Sequence, residues 1–489
     1  MTTSCNTQWD ASHSSVLART GWLIQEGSLY ALLLLLPFSS AAVEISFGTL
    51  LLGWILVRLD PQTRSDTVWL EPRLFLLATA VLSYLGICAL STLVSDYPTK
   101  SAVGFVGKWL EYLWFFVMIA DVSRRPHVAR RSLYVLACSA VMVILESMVQ
   151  ERVGRGLILH YPFLMYKRIT GPYQNPTDLA TYLMVIIPLL FSASIIPARR
   201  LRSRLVLWLP LIPMLICLNR TDSVGAWLAL GVALIVGMAV FCSPVRRASG
   251  LMLLLGIIVV AGLGLSQANR VRYLLSASDV GRIDRLFMWQ AAAKMIRDRP
   301  VLGHGVNTFM ANYVAYWVGG ERQPRYAHNC YLQVAAETGL LGLISFLGVL
   351  WLFFQKLLAG IRRAAPEDQA LLFGCGIGLL AFALQAAVDT NFYSLRQAAL
   401  FWILAGFALG LCSRASPPGT LPAVAPHADL ALSPEPDVVV GESGGQASPS
   451  HTLYSDGPAR RNAPHAPGHC GAEGRRPGGV RDHARASGS

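Results

Sequence analysis

The 489 residues are 54% hydrophobic and only 14% charged, with a net charge of +13. A soluble domain carries roughly a quarter charged residues, so this composition excludes an ordinary soluble protein and points to a membrane chain. Much of the positive charge lies in short loops between apolar runs, where it reads as orientation in a bilayer and not as a nucleic-acid footprint, so no nucleic acid is expected as a partner.

Apolar runs of about twenty residues recur, each long enough to cross roughly 30 Å of hydrocarbon. Barrel-type alternation is absent, so the spans must be helices that satisfy their own backbone hydrogen bonds. The expected fold is an all-α polytopic membrane protein of about 12 transmembrane helices, with one large loop containing short helices. In chain order the spans fall near 23–39, 41–57, 74–94, 103–120, 132–150, 177–197, 205–218, 224–242, 250–266, 332–354, 370–388 and 397–413. Residues 1–22 form a cytoplasmic N-terminus. The first apolar run lacks a small-residue cleavage site and is expected to remain as a span.

Arg58, Arg64 and Arg73, then "SRRPHVARR" (123–131), "ARRLRSR" (198–204), Arg246 and Arg247, and Lys356, Arg362 and Arg363 fall in alternate loops. The positive-inside rule makes that side cytoplasmic, with both termini on it. The opposite face receives 151–176, the long loop 267–331 and "DTNFYSLR" (389–396). Within the long loop, "GRIDRLFMWQAAAKMIRD" (281–298) has the period of an amphipathic helix, stopped by Pro300 and Gly303. "GHGVNTF" (303–309) then reads as a turn. Spans 10–12 occupy 332–414. From 415 to 489 the chain is rich in Pro, Gly, Ala and Ser without a core-forming period, as in a disordered cytoplasmic tail. The nine cysteines show no metal-binding or disulfide spacing and read as small packing residues.

The outer segments carry several arginines, most of them consistent with a solvated loop surface. Arg168, Arg220 and Arg285 stand at or near span mouths, and Arg282 and Trp289 share a helix face with Arg285. A guanidinium at membrane depth suits a lipid-borne diphosphate, because its planar fork donates two parallel hydrogen bonds. "YAHNCYLQVAAETGLLGLISF" (326–346) sets His328, Asn329 and Glu337 at the mouth of an apolar run.

Four stretches together resemble the O-antigen ligase and O-antigen polymerase superfamily: "RITGPYQNPTDLATYLMVIIPLL" (168–190), "TDSVGAWLALGVALIV" (221–236), "RLFMWQAAAKMIRDRPVLGHGVNTF" (285–309) and "HNCYLQVAAETGLLGLISF" (328–346). The last two carry the ordered pattern Arg–x–x–x–Trp, Gly–x–Gly–x–Asn–x–Phe and His–Asn–x–Tyr–Leu–x–x–x–x–Glu–x–Gly. Relatives often show Ser–Arg where this chain has Ser223–Val224, and Arg220 lies one helical turn earlier.

The resemblance implies a metal-independent inverting glycosyltransferase of the bacterial inner membrane, without cofactor, acting at the periplasmic face, with the large loop periplasmic. Its donor would be an undecaprenyl-diphosphate-linked glycan and its acceptor the lipid A core, as for an O-antigen ligase. A second lipid-linked glycan as acceptor would make it a polymerase, and protein a protein O-oligosaccharyltransferase. A lipid-linked oligosaccharide transporter is the alternative of a different class, but it calls for charges deep inside spans, whereas these gather at one face.

In this reading His328 is the general base, or alternatively a helix cap or a cation for the diphosphate. Arg220 and Arg285 are catalytic, holding the diphosphate with Arg168 and Arg282. Glu337 orients a charged partner or pairs with a loop arginine. Asp389 pairs with an arginine or orients His328. Asn175, Asn307 and Asn329 bind sugar or phosphate, or serve turns. Gly339 and Gly342 allow close helix packing.

Overall fold

The computed structural model describes residues 15–162, 168–196, 201–241, 280–319, 323 and 325–414. The expected span 250–266 and the tail at 415–489 lie outside the described residues; the other expected spans overlap helices, 205–218 falling on two, but 23–39 and 224–242 are not among the segments that qualify as membrane-crossing. Among the described residues no strand forms, and nine segments are long and apolar enough to cross a bilayer. The protein is an all-α polytopic membrane protein.

Helix α1 (Val16–Leu35) starts ahead of the apolar run because Ser15 caps it, accepting from Ala18 N at 3.2 Å and donating to Asp60 at 2.5 Å. It packs antiparallel on α2 (Ser40–Leu59). α3 (Phe75–Leu93) follows. The next span is one rod in three parts: α4 (Pro98–Gly104), a π-helical turn (Phe105–Leu110) and α5 (Glu111–Val122). α6 (Pro126–Val153) begins on Pro126 and stops at Gly154, whose φ of 84° is the left-handed conformation of a helix end. α7 (Pro176–Ser194) begins on Asn175 and Pro176. α8 (Leu201–Trp208) and α9 (Leu211–Arg220) form one interrupted span, and α10 (Val224–Phe241) follows.

The amphipathic loop segment forms α11 (Val280–Asp298), and α12 (Phe309–Tyr313) is a short turn behind it. The last three long helices are α13 (Cys330–Arg363), α14 (Pro366–Gln385) and α15 (Leu395–Ser413).

Lipid is as apolar as leucine, so helices must gain by close packing. Here Gly374 and Gly378 of α14 bring its backbone against Pro188 and Val185 of α7, and Gly406 and Gly410 of α15 do the same against Phe116 and Ala120 of α5. A methyl group at any of the four would lie 2.5–2.7 Å from a backbone oxygen.

Of the arginine loops expected on one side, 58–73 and 123–131 meet at one end together with Arg414, while Arg246 and Arg247 lie outside the described residues. Arg58 pairs with buried Asp121, Arg124 with Asp66 at 2.5 Å, and Arg125 with Glu26 at 3.2 Å. Arg414 bonds Asp368 and the Arg124 carbonyl, and Arg73 bonds the Ser413 carbonyl. At the opposite end Arg396 ties the carbonyls of Pro37 and Pro172, at 2.5 and 2.9 Å.

Candidate functional site

The site is built around a break in α13. Gly339 has φ 72° and ψ −178°, a conformation open to glycine but not to a residue with a side chain. A methyl group there would stand 2.0 Å from the Val301 carbonyl oxygen. The residue therefore does more than permit close packing: it interrupts the helix and frees carbonyls that would otherwise bond within it. The segment 300–309 lies across the gap as a strap. His304 N and Gly305 N donate to the carbonyls of Ala336 and Glu337, at 3.1 and 2.9 Å, while Leu340 N donates to Pro300 O at 2.7 Å. Ser91 of α3 adds a bond to the Glu337 carbonyl at 2.7 Å.

Glu337 is fully buried, and its carboxylate collects four donors. Asn307 N and Tyr393 Oη reach Oε2 at 2.7 and 3.1 Å, and Phe309 N and Gln333 Nε2 reach Oε1, both at 3.2 Å. Among the described residues no loop arginine pairs with it. The carboxylate instead joins three segments: the strap, the first half of α13 and the 389–394 connection. Lys108, in the π-helical turn, donates to Asn307 Oδ1 at 2.9 Å and supplies a nearby positive charge. Burial pushes the phenols of Tyr326 and Tyr393 above their ordinary range, so both are neutral hydrogen-bond donors at neutral pH.

Asn329, not His328, caps α13: its side chain accepts from Leu332 N at 3.0 Å. His328 precedes the cap with φ 47°, uncommon for a residue of its size. Its Nδ1 lies 3.8 Å from Asp389 Oδ1, close to the carboxylate but without a hydrogen bond, and its side chain is 36% exposed. Asp389 is held against the start of α13, where Cys330 N donates to the Ala386 carbonyl and Cys330 Sγ to the Asp389 carbonyl. Asp178 of α7 is within electrostatic reach of Asp389.

Arg168 and Arg220 come together. Arg168 Nε donates to the Thr221 carbonyl at 2.8 Å, and Ile169 N to the Arg220 carbonyl at 3.3 Å. Arg220 is mostly exposed and lies 3.2 Å from Glu151. The turn that follows contains Asp222 at φ 52° and leads into α10, where Gly225 packs against Val388, the neighbour of Asp389. The arginine turn and the His328–Asp389 pair thus share one end of the bundle.

Arg285 is exposed on α11 and has no hydrogen-bonding partner among the described residues. Its neighbour Asp284 pairs with Arg325 at 3.5 Å, three residues before His328. The buried face of α11, through Met288, Ala291, Ala292 and Met295, packs on Phe309, Ala336 and Ala327. The side chain of Arg282 lies outside the described residues. Asn175 caps α7, accepting from Thr177 N at 2.9 Å, and Asn307 turns the strap at φ 59°.

Two helpers are absent from the sequence reading. Gln150 and Glu146 share a face of α6. Buried Gln150 accepts from Thr170 N and Gly171 N and donates to Thr170 Oγ1, holding the segment that carries Arg168. Glu146 accepts from Leu157, Ile158 and Leu159 N, at 2.8–3.2 Å. Lys108 is the third omission, and it had a signal, since a lone cation inside an apolar run marks function by default.

Residues 209–347 match the family described as O-Antigen ligase, a stretch containing Arg220, Arg285, Asn307, His328 and Glu337. The "Exopolysaccharide production protein ExoQ" of Rhizobium meliloti is 28% identical over 134 residues, covering 24% of this chain and 29% of that protein. A "Putative polysaccharide ligase" of Rickettsia felis is 33% identical over 85 residues, covering 15% of this chain and 20% of that protein. The chain thus spans less than a third of the length of these two relatives in the matched regions. Residues 209–347 are thus similar to the O-antigen ligase family, and the two partial relatives support a likeness to the O-antigen ligase superfamily.

Proposed function

We propose that this protein is a glycosyltransferase of the bacterial inner membrane that moves a glycan from undecaprenyl diphosphate to an acceptor hydroxyl at the periplasmic face. The acceptor assigned is the lipid A core, as for an O-antigen ligase. The observation that carries the reading is the adjacency of the Arg168–Arg220 turn and the His328–Asp389 pair at one end of the bundle. The gathering of loop arginines at the other end supports cytoplasmic termini and a periplasmic 267–331 loop.

In the transfer, the acceptor oxygen attacks the anomeric carbon and forms the new glycosidic bond. The bond from that carbon to the diphosphate oxygen breaks, and undecaprenyl diphosphate leaves. His328 Nε2 takes the acceptor proton. A proton on Nδ1 faces the Asp389 carboxylate, which keeps Nε2 as the accepting nitrogen and stabilises the imidazolium as it forms. Arg168 and Arg220 hold the leaving diphosphate, and Arg285 closes on it from the exposed face of α11. Glu337 positions the His328 helix, the strap and the 389–394 connection without touching substrate.

The test is transfer with purified protein, an undecaprenyl-diphosphate-linked glycan, and either lipid A core or a second lipid-linked glycan. Elongated lipid A core is the expected product. A polymer on the lipid carrier would assign polymerase, and intact donor in both reactions, with normal protein in a bilayer, would overturn the proposal.

A further inference from the structure

The start of α7 and the end of α14 meet where the bundle carries His328. Gly374 packs on Pro188, Gly378 on Val185, and Thr181 bonds Gln385 at 2.8 Å, so the two helices run antiparallel. Asp178 lies three residues before Thr181 on the same face of α7, and Asp389 four residues beyond Gln385. Both carboxyl groups therefore fall on the same side of the Thr181–Gln385 bond, within electrostatic reach of each other. The first turn of α15 closes over Asp178 from another side. Gln397 Nε2 donates to the Asp178 carbonyl at 2.9 Å, and Arg396 Nη1 donates to the carbonyls of Pro37 and Pro172, at 2.5 and 2.9 Å. The Arg396 guanidinium also lies 4.6 Å from the centre of the buried Tyr173 ring. The ring and the two carbonyls fix its position before any ligand arrives.

Arg396 uses only Nη1 in these bonds. Its Nε and Nη2 form one bidentate edge of the fork, and neither has a hydrogen-bond partner among the described residues. The Asp178 carboxyl has none there either, since the side chain that caps α7 is Asn175. Both side chains are half-buried, and none of these four polar atoms is shut off from the surface. Arg396 and Asp178 are within electrostatic reach but do not close on each other as an ion pair, so each keeps an open face. A carboxyl in the first turn of a helix can serve the helix dipole alone, but that role leaves the open guanidinium edge beside it unexplained. Asp389, which lies 3.8 Å from His328 Nδ1, connects this pair to the candidate base.

We propose that Arg396 and Asp178 form a sugar-binding subsite beside His328, holding neighbouring hydroxyls of a glycan during transfer. This rests on the glycosyltransferase reading above. Each ring hydroxyl is both a donor and an acceptor. The open guanidinium edge donates twice in a fixed plane, and the carboxyl accepts. A carboxyl keeps an accepting oxygen in either protonation state, so the subsite does not depend on the charge of Asp178. A phosphate would use the guanidinium edge but leave the Asp178 carboxyl without a role. A few fixed polar groups suffice to orient a ligand, and these two orient the glycan toward His328 without taking its proton. The donor and the acceptor both carry such hydroxyls, and the experiment separates them.

The experiment measures binding of three probes to the full-length protein in nanodiscs: undecaprenyl diphosphate without sugar, an undecaprenyl-diphosphate-linked glycan, and lipopolysaccharide core glycolipid lacking O-antigen. Asp178→Ala removes the carboxyl without stranding a donor of the protein. Arg396→Lys keeps a donor for the Pro37 and Pro172 carbonyls but loses the planar edge. Each variant should weaken binding of one glycan by about tenfold, the loss of a hydrogen bond to a charged group. Undecaprenyl diphosphate should bind as it does to the wild type. A loss on the lipid-linked glycan assigns the subsite to the donor sugar, and a loss on the core glycolipid to the acceptor sugar. Asp178→Ala carries the test alone if Arg396→Lys does not fold. The subsite is overturned if the folded variants bind both glycans like the wild type, or if the wild type binds neither. It is also overturned if undecaprenyl diphosphate loses as much affinity as the glycans, which would make the pair a phosphate contact. Failure of the glycosyltransferase reading is separate and shows as a wild type that binds glycan but transfers none.

Discussion

Replacing Glu337 with Gln probes the joint that holds the site together. The carboxylate accepts four hydrogen bonds, two on each oxygen. Gln keeps one acceptor oxygen and turns the other into an amide donor. If the retained oxygen serves Asn307 N and the Tyr393 hydroxyl, the new amide group faces Gln333 and Phe309 N, and this backbone donor loses its partner. A buried donor left unsatisfied costs about 1–3 kcal/mol. That cost falls on the docked strap, so amide exchange across 303–309 should quicken by roughly 5- to 150-fold. Hydrogen–deuterium exchange of the detergent-solubilised protein reads this directly, with α5 and α15 amides as internal controls that should not change. Exchange at 303–309 equal to the wild type would refute the claim that Glu337 fastens the strap to the helix break.

Gly339→Ala should be more damaging than an ordinary helix substitution and lower expression of folded protein, because the methyl group meets the Val301 carbonyl at 2.0 Å; size-exclusion chromatography would report it. Gln150→Leu removes the acceptor for Thr170 N and Gly171 N and should weaken binding of an undecaprenyl-diphosphate probe while His328 chemistry is otherwise intact; calorimetry checks this. Burial holds the His304 imidazole below its ordinary value. The unfolded strap therefore binds a proton that the docked one refuses, so docking is strongest above about pH 6.5 and weakens as pH falls below it, visible as faster exchange at 303–309 after correction for intrinsic rates. Arg285→Lys should lose most of the transfer activity retained by the wild type, since an ammonium lacks the planar fork for two phosphate oxygens; activity equal to wild type would show that charge alone suffices.

The helical spans were legible because a bilayer demands long apolar runs, and the arginine loops were legible because short loops carry the positive-inside bias. The loop helix at Val280–Asp298 follows from its period and from Pro300. The break at Gly339 was not legible: an apolar helix with glycines reads the same whether it is closely packed or interrupted, and only the strap decides. Glu337 looked like a group awaiting a charged partner, yet its donors are mostly backbone amides and neutral side chains, which leave no charge signal. Asn329 and Asn175 serve as caps, the role their positions before helices suggest. Gln150 and Glu146 went unread because their partners lie on loops whose approach depends on the tertiary fold. Lys108 stood in plain view inside an apolar run.

The central claim is that His328 accepts the acceptor proton at a site shared with the arginine-bound diphosphate. The most direct measurement is the single-turnover transfer rate of His328→Gln beside its affinity for the lipid-linked donor. The account predicts a rate lowered by about 10²–10⁴-fold, the range for a lost general base, with donor affinity near that of the wild type. Asn329 already caps the helix, so no stability loss should accompany the change. A normal single-turnover rate, or a loss confined to donor affinity, would contradict the account.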